Sequence, residues 1–329
     1  MQRVASPDDL SPVAVPAEPT TLPFSLTWSD VAGCLPGCIG SGRAWVSHVK
    51  SGRHQGGRPS VIMTLSYRDA EGVDRERTVF FKRNTGESRE AHRYRFLSER
   101  AISLPAVLVC VERPNEEVLG LEFLPFIGVR AEDVNDVLQL IAGLNAVIDV
   151  PDDVATLHPG MKQAEFEHLV AGSLVRLDAM WPEFRARAWL DVYRDAHLRH
   201  ESLPQALCHG ELAAQQVGHA SDGRLVLFDL ATVAKRARFA DIANMLRFLA
   251  ARSGRTEREL MTLYLQHLDA AGGATVHLDE AWPELLLTRV VQEIEAIPWR
   301  TTLGDNTDLY ERARMIDHDL TAVRPNAGR

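Results

Sequence analysis

Two apolar runs early in the chain, AWVSHVK (44–50) and SVIMTLSY (60–67), flank the glycine-rich stretch SGRHQGGRP, a pattern that predicts a hairpin with a long, flexible tip. A polar turn, DAEGVD, leads into RTVFFKRN (77–84), whose mix of Val, Phe and Thr favours a third strand and hence an antiparallel meander. From Glu87 to Arg100 the period changes. Ala91, Tyr94 and Leu97 recur at helical spacing among charged residues, which predicts an amphipathic helix. AVLVCVE (106–112) and VLGLEFLP (118–125) then complete a five-stranded sheet.

Beyond Pro125 the spacing is helical. DVLQLIAGLNAVI, EFEHLVAGSLVRLDAMW and ARAWLDVYRDAHLRH place apolar residues three and four apart, as helices with one buried face do. QALCHGELAAQQV and RLVLFDLATV interrupt them as a short hairpin around HASDG, and ADIANMLRFLA, ERELMTLYLQHLDAA and the segments near 280–323 resume the helical pattern. The fold class is α+β: a small sheet lobe followed by a larger, mainly helical lobe.

The 329 residues suit one large domain or two lobes of roughly 100 to 200 residues each. With 45% hydrophobic and 25% charged residues the chain is neither disordered nor fibrous. A net charge of −9 argues against nucleic acid or an anionic membrane as partner. The charge is uneven, +1 up to residue 118 and −10 beyond it, so the helical lobe could attract a cationic small molecule. Four cysteines are too few for a disulfide scaffold and fit a reducing, cytoplasmic setting. Residues 1–24 read as a flexible leader, with five prolines and no basic start before an apolar block. Gly37, Gly40 and Gly42 do not fit a dinucleotide fingerprint, Cys34 and Cys38 lack a second pair at zinc spacing, and surface positions are expected for His197 and His200.

The chemistry concentrates in the interrupting hairpin. His209-Gly210-Glu211 is followed by Gln216 and, thirteen residues later, by Asp229 at the end of the apolar run LVLF. Phosphoryl transfer from ATP asks little covalent work of a protein. It needs a carboxylate to orient the attacking hydroxyl, oxygen ligands for magnesium and a cation on the phosphates. A loop that ends in a strand can fix such groups.

These residues resemble the aminoglycoside phosphotransferase and choline kinase-like group, small-molecule kinases with the protein-kinase-like fold. CHGELAAQQVGHASDGRLVLFDL reproduces the spacing of that group's catalytic loop and metal strand, with Glu211 at the catalytic Asp, Gln216 at the Asn and Asp229 at the metal-binding Asp. The resemblance implies a catalytic loop of Glu211 and His209, with His209 supporting the loop rather than acting as base, and magnesium on Asp229 and Gln216. It also implies ATP phosphates on Lys82, the lysine being held by Glu90, under a loop containing Gly56 and Gly57, and adenine against the backbone of Glu122, Phe123 and Leu124. Asp241, in ARFADIANML, matches a structural Asp. The implied domains are a sheet lobe over residues 25–121 and a helical lobe over 122–329, and the implied partner is a small hydroxyl acceptor, with an amine-bearing one suiting the acidic lobe.

Two departures stand out. Glu211 and Gln216 are each one methylene longer than the group's Asp and Asn, at a place where an error of about 1 Å can cost on the order of a hundredfold in rate. Three outcomes are therefore open: a site with an adjusted backbone and an unusual substrate, a catalytically degenerate relative that binds nucleotide or a partner, or altered chemistry such as nucleotidyl transfer.

Overall fold

The computed structural model describes residues 22–35, 37, 44–53, 59–86, 90–155, 163–303 and 306–323. The chain divides into two compact units. One holds residues up to Ala91 together with Pro105–Phe123, and the other holds His92–Leu104 and Leu124–Arg329.

The first unit is built on strands β1 (Ala44–Arg53), β2 (Pro59–Arg68), β3 (Asp74–Thr85), β4 (Val107–Arg113) and β5 (Glu116–Glu122), preceded by the short helix α1 (Trp28–Val31). They form one antiparallel sheet in the order β1-β2-β3-β5-β4. Strand alternation sorts β3 cleanly. Val79 and Phe81 enter the apolar core with Met63, Leu65, Val109 and Val118, while Lys82 and Asn84 share the opposite face. Gly120 on β5 is needed for close strand contact, because a Cβ there would lie 2.9 Å from Cβ of Val109 and 3.0 Å from the Phe81 ring. Residues 54–58, the hairpin tip that holds Gly56 and Gly57, lie outside the described residues.

Helix α2 (Glu90–Ser98) spans the division between the units, which falls after Ala91. The second unit continues with β6 (Phe126–Ile127), α3 (Val134–Asn145), α4 (Asp152–Ala155), α5 (Gln163–Met180) and α6 (Trp189–Glu201). It then runs through β7 (Gln205–Cys208), β8 (Val217–His219), β9 (Leu225–Leu227) and β10 (Ala234–Ala237), and ends with α7 (Ala240–Ser253), α8 (Glu257–Ala270), α9 (Leu278–Leu303) and α10 (Asn306–Val323). Its core joins Leu174, Trp189 and Tyr193 to Val291, Ile294 and Ile316, the apolar stripes read from the helical spacing. Thr256 caps α8: its N–H donates to Glu259 Oε2 at 2.8 Å and its Oγ1 accepts from the Glu259 N–H at 3.3 Å.

The expected short hairpin is more than a hairpin. β8 and β9 pair as anticipated, but β6 joins them in a three-stranded sheet and β7 pairs with β10 in a second, two-stranded one. These partners are distant in sequence, and pairing them depends on packing rather than on any local turn. No helix among the described residues is long and apolar enough to cross a membrane.

Candidate phosphotransfer site

In the sheet unit, Lys82 and Glu90 form an ion pair, with Nζ 2.9 Å from Oε2 and 3.2 Å from Oε1. Both are buried, at 4% and 0% exposure. Asn84, on the same face of β3 as Lys82, donates through Nδ2 to Glu90 Oε2 and to Glu117 Oε1, each at 2.9 Å. Glu117 Oε2 in turn accepts the N–H of Ala91 at 3.0 Å. Burial pushes the Glu117 carboxyl above its ordinary pKa, against the pull of these hydrogen bonds, and the negative charge of Glu90 adds to the rise. Asn84 and Glu117 escaped the sequence reading. The strand period that puts residues 82 and 84 on one face was the available signal for Asn84; Glu117 faces it only through the β3–β5 register.

In the helical unit, β7 delivers the loop His209-Gly210-Glu211. Asp241, 1% exposed in the first turn of α7, grips the loop backbone: Oδ2 accepts the N–H of His209 at 2.8 Å and Oδ1 that of Gly210 at 3.1 Å. Asn145 donates to Asp241 Oδ2 at 3.2 Å and to the Leu207 carbonyl at 2.8 Å, and its own Oδ1 accepts from the Tyr264 hydroxyl at 2.8 Å. His209, expected with Glu211 in a catalytic loop, is fully buried and braces the loop from within. Its Nε2 lies 2.9 Å from the Phe228 carbonyl, and because a carbonyl only accepts, Nε2 carries the proton. Its own carbonyl accepts from Thr232 Oγ1 at 3.0 Å. Gly210 has φ +92°, and a Cβ there would collide with the Thr232 carbonyl oxygen, so no other residue fits without displacing the loop. Glu211 emerges exposed beyond these anchors.

Gln216 closes a one-turn helix, Ala214–Gln216, by accepting the Ala213 N–H on Oε1 at 3.1 Å. Its backbone carbonyl accepts from the N–H of Phe228 at 3.1 Å, so the hairpin register places Gln216 across from the residue just before Asp229. Asp229 adopts the left-handed conformation, φ 66° and ψ 58°, a strained backbone that Asp tolerates better than most residues. Its N–H donates to the Tyr94 hydroxyl at 3.1 Å. Arg93, 4% exposed, clamps the residues that follow, donating to the carbonyls of Ala231 at 2.5 Å and Leu230 at 3.4 Å, and to that of Val154 at 3.0 Å. Sequence reading saw Tyr94 only as part of an apolar stripe and passed over Arg93, since nothing local marks a side chain whose acceptors lie from 61 to 138 residues away.

Glu122 ends β5 by pairing with Ala106, its N–H donating to the Ala106 carbonyl at 2.9 Å and its Oε2 accepting from the Ala106 N–H at 3.2 Å. Phe123 and Leu124 are half-buried on either side of the division between the units.

A cavity of about 420 Å³ opens beside Glu211 within the helical unit. Phe166, Leu212 and Ala213 give it apolar wall, and its charged lining is Glu211, Glu293, Glu295, Arg236, Arg300 and Arg312, three carboxylates against three guanidiniums. The acidic excess of this half of the chain is thus not concentrated around the cavity. Close by, His197 and His200 are partly buried rather than at the surface.

The chain matches no family model and no curated protein. Solved structures do match. An ethanolamine kinase from Plasmodium vivax aligns at 15% identity over 85% of this chain and 82% of its own, with a TM-score of 0.51. Spectinomycin phosphotransferase in an AMP-bound complex aligns at 10% identity over 84% and 94%, with a TM-score of 0.53. A mutant aminoglycoside 2′-phosphotransferase in its GDP complex aligns at 10% identity over 84% and 92%, also with a TM-score of 0.53. The chain has the fold of the aminoglycoside phosphotransferase and choline kinase-like group that its motifs resemble.

Proposed function

We propose that this protein is an ATP-dependent phosphotransferase that phosphorylates a hydroxyl of a small molecule. The buried Lys82–Glu90 pair, in a chain with the fold of small-molecule kinases, carries this reading. Burying two charges costs several kcal/mol per ion in desolvation and is seldom repaid in stability, so the pair has its clearest rationale in holding the ammonium for a phosphate.

On the sheet unit, Lys82 would meet the α and β phosphates and Gly56 and Gly57 would cover them, while the backbone of Glu122 to Leu124, where the chain passes from one unit to the other, would take the adenine. On the helical unit, Glu211 would orient the acceptor in the adjoining cavity. The acceptor oxygen attacks the γ-phosphorus, the bond from that phosphorus to the oxygen bridging to the β-phosphate breaks, and ADP leaves with the bonding pair. The hydroxyl proton passes to Glu211, leaving a phosphate ester and ADP. Asp229 and Gln216 offer the hard oxygen donors that suit magnesium, Gln216 Oε1 keeping a lone pair beyond its bond to Ala213. There the ion would neutralise charge on the phosphates. The free cysteines Cys34, Cys110 and Cys208 support a cytoplasmic setting.

The alternative is a protein that binds nucleotide without turnover, favoured by the engagement of Gln216 Oε1 within its own loop. ATP labelled at the γ or at the α position, incubated with sugars, amino alcohols, hydroxy acids and aminoglycosides, decides between them. Transfer of γ label to an acceptor, lost on Glu211→Ala while nucleotide binding survives, is expected. Binding of ATP with no labelled product identifies the alternative, and transfer of α label would mean nucleotidyl transfer.

A further inference from the structure

Four of the six charged side chains that line the cavity beside Glu211 neutralise one another or are held by neighbours. Glu293 accepts from Arg312 Nη1 at 2.9 and 3.0 Å and lies 3.9 Å from Arg300, which also donates to Asp308 at 3.2 Å. Glu295 accepts from the Tyr193 hydroxyl at 3.1 Å and faces His197 Nδ1 at 3.3 Å. Glu211 and Arg236 are different. Neither makes a hydrogen bond or an ion pair among the described residues, and Arg236 Nε is buried with no acceptor.

Arg236 belongs to β10 and lies against the catalytic loop, since a Cβ on Gly210 would be 3.1 Å from both its Nε and its Nη2. Two titratable groups within its field offer it no charge. Burial holds His200 below its ordinary pKa, with the guanidinium itself contributing, and holds the Cys208 thiol well above its own. A partly desolvated guanidinium that forms no ion pair among the described residues is an expensive arrangement for a protein to keep. Its planar fork matches an oxyanion, which it can hold with two parallel hydrogen bonds. A cavity of this size suits a metabolite.

We infer that Arg236 seats an oxyanion of the acceptor, so that the substrate is a small hydroxylated compound bearing a carboxylate or phosphate, its hydroxyl presented to Glu211. The inference rests on the phosphotransferase reading for the identity of the reacting group, but the anion seat is a property of the cavity and can be measured without ATP. The free carboxylate takes the hydroxyl proton and the free guanidinium fixes the other end of the molecule. An amine-bearing acceptor would instead bring a second cation to Arg236.

The test uses the full chain with glycerate, gluconate and glycerol phosphate as probes, against glycerol, glucose and choline. Binding is followed by ligand-observed NMR for the wild type, Arg236→Gln and Arg236→Lys, with circular dichroism to confirm folding. At least one oxyanion probe is expected to bind tighter than its neutral counterpart by about tenfold to a hundredfold. That advantage should be lost in Arg236→Gln and partly retained in Arg236→Lys. Glycerate against glycerol phosphate tells carboxylate from phosphate. Equal binding of neutral or cationic probes, oxyanion binding indifferent to Arg236, or no binding of any oxyanion probe would each overturn the inference. Labelled-ATP assays on the same proteins separate it from the parent reading. Phosphorylation of neutral acceptors with an unchanged KM in Arg236→Gln sinks the anion seat and keeps the kinase, whereas oxyanion binding without any ATP binding does the reverse.

Discussion

Asp241 divides its two carboxylate oxygens between consecutive backbone amides, Oδ2 taking the N–H of His209 at 2.8 Å and Oδ1 that of Gly210 at 3.1 Å. One buried side chain thereby sets the direction in which the chain leaves β7 and the place where Glu211 emerges. Asp241→Asn removes the charge and turns an NH2 group toward one of those amides. A loss of about 2–3 kcal/mol in unfolding free energy is expected. Denaturant titration measures it, and a stability unchanged from wild type would show that the amides find other acceptors.

Gly210 and Gly223 give a matched pair. Both have positive φ, +92° and +85°, but only at Gly210 would a Cβ strike backbone. Gly223→Ala should cost about 1 kcal/mol from backbone strain alone. Gly210→Ala should cost more and displace Glu211, so that phosphotransfer falls far more than stability. Parallel thermal melts and turnover assays of the two variants check the contrast.

Lys82→Met leaves Glu90 as a buried, uncompensated anion, for which about 3–5 kcal/mol of destabilisation is expected. Adding Glu90→Gln should return much of that stability while leaving ATP binding lost. Calorimetric titration with ATP alongside denaturant melts tests both halves. Recovery of nucleotide binding in the double variant would show that Lys82 serves only the fold.

His197 carries a pH dependence of definite sign. The Glu295 carboxylate, aided by Glu201 and Glu167, raises its pKa above the ordinary 6.5 despite partial burial. Stability contributed by the protonated imidazole is therefore fully present below about pH 6.5 and disappears as pH rises through the raised value. The stability difference between wild type and His197→Gln should be widest near pH 5.5 and shrink by pH 8.5, as read from urea midpoints across that range. A difference that grows with pH would contradict the Glu295 contact.

Short-range regularity was legible in the amino-acid order. The two-residue period of β3 carried the signal that Lys82 and Asn84 share a face, helical spacing marked the stripe holding Ala91, Tyr94 and Leu97, and the intervals from His209 to Gln216 and Asp229 resembled those of a kinase catalytic loop. These patterns are legible because strand and helix geometry repeat within a few residues. Long-range pairing was not. That β5 rather than β4 lies beside β3, that β6 joins β8, that Asn84 bridges two glutamates, that Arg93 holds the carbonyls after Asp229, and that Arg236 lies beside Gly210 with no ion pair among the described residues all depend on which surfaces meet. Backbone acceptors have no sequence identity to recognise, and a charge is paired or free only once the folded chain has brought its neighbours into place.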